Sequence, residues 1–407
     1  MGELSKHFRQ VTIGKNCSDL LHPEQSCTQA WWTFLYQGVL GGMRHFLPAV
    51  VAPLLFRVHH WNKPEIWKKN FREYCRCILA GLPMTGGSFL AFCLLYKIVG
   101  CFPPAWFVMI PSLAGGITVN YLPQHIVRTQ GIGLFNMYIE FLIRRARSPL
   151  IVKLRNSKMF ATACFMILSS GVMAARQLLQ LDRFWFASVD GANRHSHRKD
   201  NTNGMLLLPS ISCLRNLLYE VKQSLYVGLA ASAIKILFPR MTTIPRSPLI
   251  LLRLLITRFD YRLLSFLILY KAIYKGCNCT LGTWNYSLLG STPIMRDAIS
   301  GFVAGVAYRC FPKYLLFTFP ITELVELSWM VYLRIENFPK HSIFFWIDRK
   351  LPVAMLLYTV SLGLLCHLRV VYPYHTNHYW HRLMANGTWG RSEILARGYA
   401  SVILGCC

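Results

Sequence analysis

Glu323 and Glu326 lie three residues apart in the apolar stretch FTFPITELVELSW, a spacing that puts both carboxylates on one face of a helix. Charge inside an apolar segment is costly unless it is paired, and it marks a polar site by default. Arg44, which with His45 interrupts another apolar stretch, and Arg296 are cations that could meet them. The residue types therefore predict an intramembrane polar site made of Arg44, Glu323 and Glu326. Lys97, Lys235 and Lys271 stand near the ends of apolar segments, where long stems let an ammonium group reach headgroups, so these are expected to snorkel.

The fourteen cysteines divide by surroundings. Cys93, Cys164 and Cys366 fall inside apolar segments, where a thiol packs as a small hydrophobe and needs no further role. Cys17 and Cys27, with nine residues between them, and Cys277 and Cys279 lie in polar stretches and could be disulfide or redox partners or metal ligands. Cys17 and Cys27 are the disulfide candidates. His375, His378 and His381 recur every third residue, a spacing that can present imidazoles on one helix face to a metal. Their neighbours Tyr372, Pro373, Tyr374, Tyr379 and Trp380 read instead as an aromatic interfacial belt. The chain lacks a phosphate-binding GxxxxGK[ST] loop, a GxSxG elbow and an HExxH pair. No catalytic residue, cofactor or metal is assigned, and the expectation is a protein that is not an enzyme.

The elements that must position these residues are set by composition. Hydrophobic residues make up 54% of the 407-residue chain and charged residues 15%, whereas soluble domains carry about 25% charged residues. The surplus of apolar side chains points to lipid, and the fold class expected is an all-α, polytopic helical membrane protein of roughly six to nine spans. The candidate spans are 33–56, 77–99, 103–122, 158–175, 224–238, 263–275, 297–311, 314–333 and 351–372. The net charge of +27 is explained by basic loops on one membrane face and by anionic headgroups, without a nucleic-acid partner. Basic segments 57–76, 144–158 and 240–262 are each separated by two candidate spans, so they are expected to share a side. The first thirty residues contain no apolar run of signal-peptide length.

The domain plan that follows is a cysteine-containing polar stretch 1–30, a first membrane bundle 31–175, a polar connection 176–222, a second bundle 223–372 and a tail 373–407. The two bundles carry signs of an internal duplication of a glycine-containing helical hairpin. Ser88-Phe89-Leu90, Leu95-Tyr96-Lys97, Cys101, Ala114-Gly115 and Tyr121 to Pro123 recur in order as Ser265-Phe266-Leu267, Leu269-Tyr270-Lys271, Cys277, Ala304-Gly305 and Tyr308 to Pro312. Gly38 with Gly42, and Gly301 with Gly305, are small residues one turn apart that let helix backbones approach, so they are expected at helix-packing seams within the chain or between two copies.

Several short stretches together resemble the transmembrane protein 135 family, also called peroxisomal membrane protein 52. They are Cys17, His22-Pro23 and Ser26-Cys27, then Tyr274-Lys275-Gly276-x-x-Cys279, then Ser300 to Gly305 leading into Leu324-Val325-Glu326. The collinear order of these stretches carries the resemblance, together with a distant similarity to the inner-membrane translocase family of mitochondrial import. The chain departs from the better-known members by a shorter polar middle and by stopping soon after its last span. The resemblance implies a multipass protein of peroxisomal and mitochondrial membranes, linked to lipid droplets, mitochondrial fission and fatty-acid and cholesterol homeostasis. Its implied partners are membrane lipids, a second copy or organelle-dynamics proteins. A lipid or metabolite transporter with its site at the repeat interface is the alternative.

Overall fold

The structure is a computed structural model that describes residues 16–20, 22, 25–56, 62–100, 108–181, 259–283, 292–334, 353–372 and 375–388, with Gly14, Thr257, Gly390, Glu393 and parts of 217–232 besides. Among the described residues the regular structure is helical throughout, with no strand. Helices α1 (Cys17–Leu20), α2 (Cys27–Phe56), α3 (Pro64–Val99), α4 (Met109–Gly116) and α5 (Gln124–Arg145) are followed by α6 (Pro149–Asn156) and α7 (Lys158–Leu178). Then come α8 (Tyr261–Thr283), α9 (Pro293–Ala304), α10 (Tyr314–Arg334), α11 (Val353–Val371) and α12 (His378–Gly387). Three of these, over Pro64–Val99, Lys158–Leu178 and Tyr314–Tyr332, are long and apolar enough to cross a membrane, and Ala354–Arg369 is a shorter apolar helix.

Local sequence explains where several helices begin and end. Pro64 opens α3, where its missing N–H costs nothing, and Gly100 closes it in the left-handed region at φ 69° with its N–H donating to the Tyr96 carbonyl at 2.8 Å. The Ser157 hydroxyl caps α7 by accepting the Phe160 N–H at 3.3 Å, and Thr292 caps α9 by accepting that of Met295 at 3.4 Å.

The described chain forms two compact units, the first Met1–Arg145 with Lys340–Cys407 and the second Ala146–Pro339. In the first, α2 and α3 pair as a hairpin, α4 lies on α3, and α11 packs on both α4 and α5. In the second, α7 and α8 pack on α9, and α7 also meets α10. Helix α3 presents Leu79, Leu90, Leu94 and Ile98 outward, an apolar exterior suited to lipid.

Element order within the units corresponds. After α3 comes the short helix α4, a 3-10 turn over Ile117–Tyr121, Pro123 and then α5. After α8 comes the short helix α9, a 3-10 turn over Gly305–Cys310, Pro312 and then α10. Both 3-10 turns begin within two residues of the repeated Ala-Gly pair, Ala114-Gly115 and Ala304-Gly305. Helix α7 follows α5 in the chain yet packs in the second unit, and α11 follows α10 yet packs in the first.

Three sequence expectations are corrected here. The described part of 103–122, from residue 108 on, and the stretch 297–311 are each a short helix followed by a 3-10 turn rather than a single span, because a Gly-containing joint and a following proline prevent a continuous ladder. Helix α5 was not expected at all, since Gln124, His125, Arg128, Gln130 and Asn136 dilute its apolar residues. It adds a helical run between the first two basic segments that is not itself apolar enough to cross a membrane. The domain plan also changes: the division falls after Arg145 and after Pro339, not across 176–222, because α7 and α11 leave their own halves. The candidate span 224–238 and the segments 182–216 and 335–352 lie largely outside the described residues.

Candidate functional site

Among the described residues of the second unit, a buried ion pair joins α7 to α10. The Arg176 guanidinium donates to Glu323 Oε1 at 2.6 Å, with the two side chains 9% and 11% exposed. Glu326, one turn on, is also buried. Glu323 therefore meets a cation, but that cation is Arg176 and not Arg44, which is exposed in the first unit. Arg176 went unnoticed in the sequence because it stands at the first residue past a candidate span and read as the start of a polar connection. A second cluster links α8 to α9: the Tyr274 hydroxyl donates to Asp297 Oδ1 at 3.0 Å, and the Asn278 amide donates to the same oxygen. Lys271, expected to snorkel, is instead 3% exposed and donates to Gln223 Oε1 at 3.2 Å. Its burial follows from its position inside α8, which runs on to Thr283 rather than ending near 275.

The first unit has its own buried acid. Glu140 on α5 is 2% exposed; its Oε1 accepts two N–H bonds from Arg144, at 2.6 and 3.0 Å, and its Oε2 accepts the Asn377 amide at 2.6 Å. The Arg145 guanidinium lies 3.8 Å from the centroid of the Tyr372 ring, and its Nη2 donates to the Tyr372 hydroxyl at 2.9 Å. Trp380 is wholly buried, with its indole N–H donating to the Leu365 carbonyl at 3.1 Å, so it anchors α12 and is not an interfacial belt residue. His381 bonds Thr376 Oγ1 at 2.7 Å while His375 and His378 are exposed, and the three imidazoles do not converge on one point.

The four glycines sit at helix contacts inside single units. A Cβ on Gly38 would stand 2.1 Å from the Thr85 hydroxyl oxygen, whereas one on Gly42 would meet Ile78 Cα at an ordinary 3.7 Å. On α9 and its 3-10 turn, a Cβ on Gly301 would lie 3.0 Å from the Ser169 carbonyl oxygen and one on Gly305 2.6 Å from Met166 Cα. Ser169 reinforces that seam by donating to the Gly301 carbonyl at 2.8 Å and sharing a hydrogen bond with the Tyr270 hydroxyl. In the first unit α11 makes equally close approaches at Gly116, Gly131 and Gly363. In each unit the helix received from elsewhere in the chain thus packs against the glycine-bearing broken helix.

A separate group gathers at the end of the α2–α3 hairpin. Cys17, His22, Cys27 and Cys93 each bring one ligand atom, all within 4.8 Å of one another, the only such group of metal-competent side chains among the described residues. Cys17 and Cys27 are brought together, but as free thiols with their sulfurs 3.6 Å apart rather than as a disulfide, whose S–S bond is about 2.05 Å. Burial, followed by the neighbouring Cys27, pushes the Cys17 thiol above its ordinary value. Cys93 and His22 were not expected here: Cys93 read as a packing residue within an apolar run. The even spacing of Cys17, His22 and Cys27 was the available signal. Cys277 is a free thiol in the second unit.

Comparison of the chain with models of protein families, with curated proteins and with solved structures finds no match.

Proposed function

We propose that the chain is a multipass, non-enzymatic protein of peroxisomal and mitochondrial membranes, with six to nine crossings, that regulates organelle dynamics and the homeostasis of fatty acids and cholesterol. The organelle and the lipids rest on the stretches around Cys17, Tyr274 and Ser300 that resemble the transmembrane protein 135 family. Membrane lipids are its first partners, with a second copy or organelle-dynamics proteins beyond them.

The observation that supports an architectural role is the use made of buried charge. Arg176 and Glu323 tie α7 to α10, and Asp297 ties α9 to α8 through Tyr274. These groups are spent on joining helices, which suits a membrane scaffold. The test is to image the tagged protein against peroxisomal and mitochondrial markers and to complement cells lacking it. The expected result is co-localisation with both markers and recovery of mitochondrial network length and neutral-lipid stores. Signal confined to the plasma membrane or reticulum would overturn the reading.

A transporter for lipid or a metabolite is the second reading, favoured by the two broken helices at corresponding positions, α4 with its 3-10 turn and α9 with its own. Interrupted helices at matched places in two halves are where transporters place their sites. Glu323→Gln separates the two readings, because the amide oxygen can still accept from Arg176. Loss of lipid flux in liposomes with an unchanged melting temperature favours the transporter, and unchanged complementation favours the scaffold.

A further inference from the structure

We propose that Cys17, His22, Cys27 and Cys93 form a structural zinc site that fastens the amino-terminal segment to the end of the α2–α3 hairpin. Four protein ligands of type Cys3His, with no position left for water, are a recognised closed set for tetrahedral zinc. Zinc bonds of about 2.3 Å to sulfur and about 2.0 Å to nitrogen, at tetrahedral angles, require sulfur–sulfur edges of about 3.8 Å and sulfur–nitrogen edges of about 3.5 Å. The Cys17–Cys27 sulfurs are 3.6 Å apart and Cys27 Sγ lies 3.5 Å from His22 Nε2. The two edges agree with the tetrahedron, while a disulfide would need the first to contract to about 2.05 Å.

The imidazole is oriented as a ligand should be. Nδ1 of His22 lies 2.7 Å from the Gln25 carbonyl oxygen. A carbonyl can only accept, so the proton sits on Nδ1 and the Nε2 lone pair is left facing the thiols. A backbone carbonyl on the far nitrogen is the usual way a metal-binding histidine is fixed in tautomer and angle. The ring is 1% exposed and lies 5.6 Å from Phe89, whose other neighbour, Phe34, stacks at 4.4 Å. The surroundings are therefore apolar and packed, which excludes competing water.

The four ligands come from four places in the first unit: α1, the turn after it, the first residue of α2, and α3 six residues before its end. Three thiolates and one neutral imidazole around a dication carry a net charge of −1. The ligand set favours zinc over magnesium or calcium, which take oxygen donors. The role is to hold α1 on the hairpin, since α1 is too short to stay folded alone.

The test is metal content of the full-length chain purified in detergent under reducing conditions without chelator, with zinc alone as the probe. The expected result is about one zinc per chain, reduced at least tenfold in Cys17→Ser and Cys27→Ser and unaffected in Cys164→Ser, whose thiol lies in the second unit. His22→Ala should lose the metal and His22→Cys should keep it, which separates loss of a ligand from loss of the fold. Cobalt substitution should give the thiolate charge-transfer absorption of a tetrahedral site, and a chelator should speed alkylation of Cys17 and Cys27. A monodisperse wild-type chain with less than a tenth of a zinc after zinc supplementation overturns the proposal. So does a Cys17–Cys27 disulfide in the purified chain, or zinc retained in Cys17→Ser/Cys27→Ser.

Discussion

Gly305→Ala adds one methyl group where the second unit has no space for it. The new Cβ would stand 2.6 Å from Met166 Cα, about 0.8 Å short of the 3.4 Å at which ordinary contact begins. The obstacle is backbone, so a rotamer change cannot relieve it, and α7 must move away from α9. Overpacking of this kind costs about 3 kcal/mol, and the helix propensity gained by replacing glycine returns about 1 kcal/mol, which leaves a net loss on the order of 2 kcal/mol. In a unit of this size each kcal/mol moves the melting temperature by about 2–4 °C, so a drop of about 4–8 °C is expected. The assay is retention of the monodisperse peak of detergent-solubilised protein after heating. Gly42→Ala and Gly133→Ala are the controls: the first meets Ile78 Cα at 3.7 Å and the second meets nothing within 4 Å. Both should melt at or slightly above the wild-type temperature, since an unstrained glycine replacement stabilises by about 0.4–1 kcal/mol. Wild-type melting of Gly305→Ala together with a loss in Gly42→Ala would refute the account of which glycines hold the helices together.

Other outcomes follow from the same geometry. Arg176→Met leaves Glu323 charged and nearly dry, so it should cost about 3–5 kcal/mol, while Arg176→Met with Glu323→Leu should recover most of that loss in a thermal-melt double-mutant cycle. Trp380→Phe leaves a cavity at a wholly buried site and removes the second donor to the Leu365 carbonyl, which keeps its helical partner, so a loss of about 2 kcal/mol should appear as faster protease cleavage near α12. Arg145→Lys loses the planar stacking on Tyr372 and should cost about 0.5–1 kcal/mol by the same melt.

How much of this was legible follows the strength of each residue's local signal. Predominantly apolar helices such as α7, α10 and α11 are visible in the sequence because their composition alone demands them. Helix α5 is not, because its stability comes from packing against α11 at Gly131 rather than from an apolar run of its own. The repeated Ala-Gly and Tyr-to-Pro stretches fall at the two joints, but nothing in them says that each joint is a 3-10 turn. Glu323 stood out as a charge in apolar surroundings, whereas its partner Arg176 sat at a segment edge, where arginine is ordinary. Cys93 illustrates the general difficulty: a thiol in an apolar helix carries no mark in one dimension of the three side chains that approach it from 66 or more residues away.

The exchange of α7 and α11 bears on how the protein is made. When the ribosome has finished the first half, α7 has emerged but α8 to α10, which it packs against, have not; the first unit meanwhile lacks α11. Neither unit is complete until nearly the whole chain is out, so no early intermediate has a closed core. The glycine seams that α7 and α11 eventually fill are open in that interval. A transcript ending after the first half would encode two incomplete units rather than one whole one, whereas the two halves made as separate chains carry every helix needed to assemble by complementation.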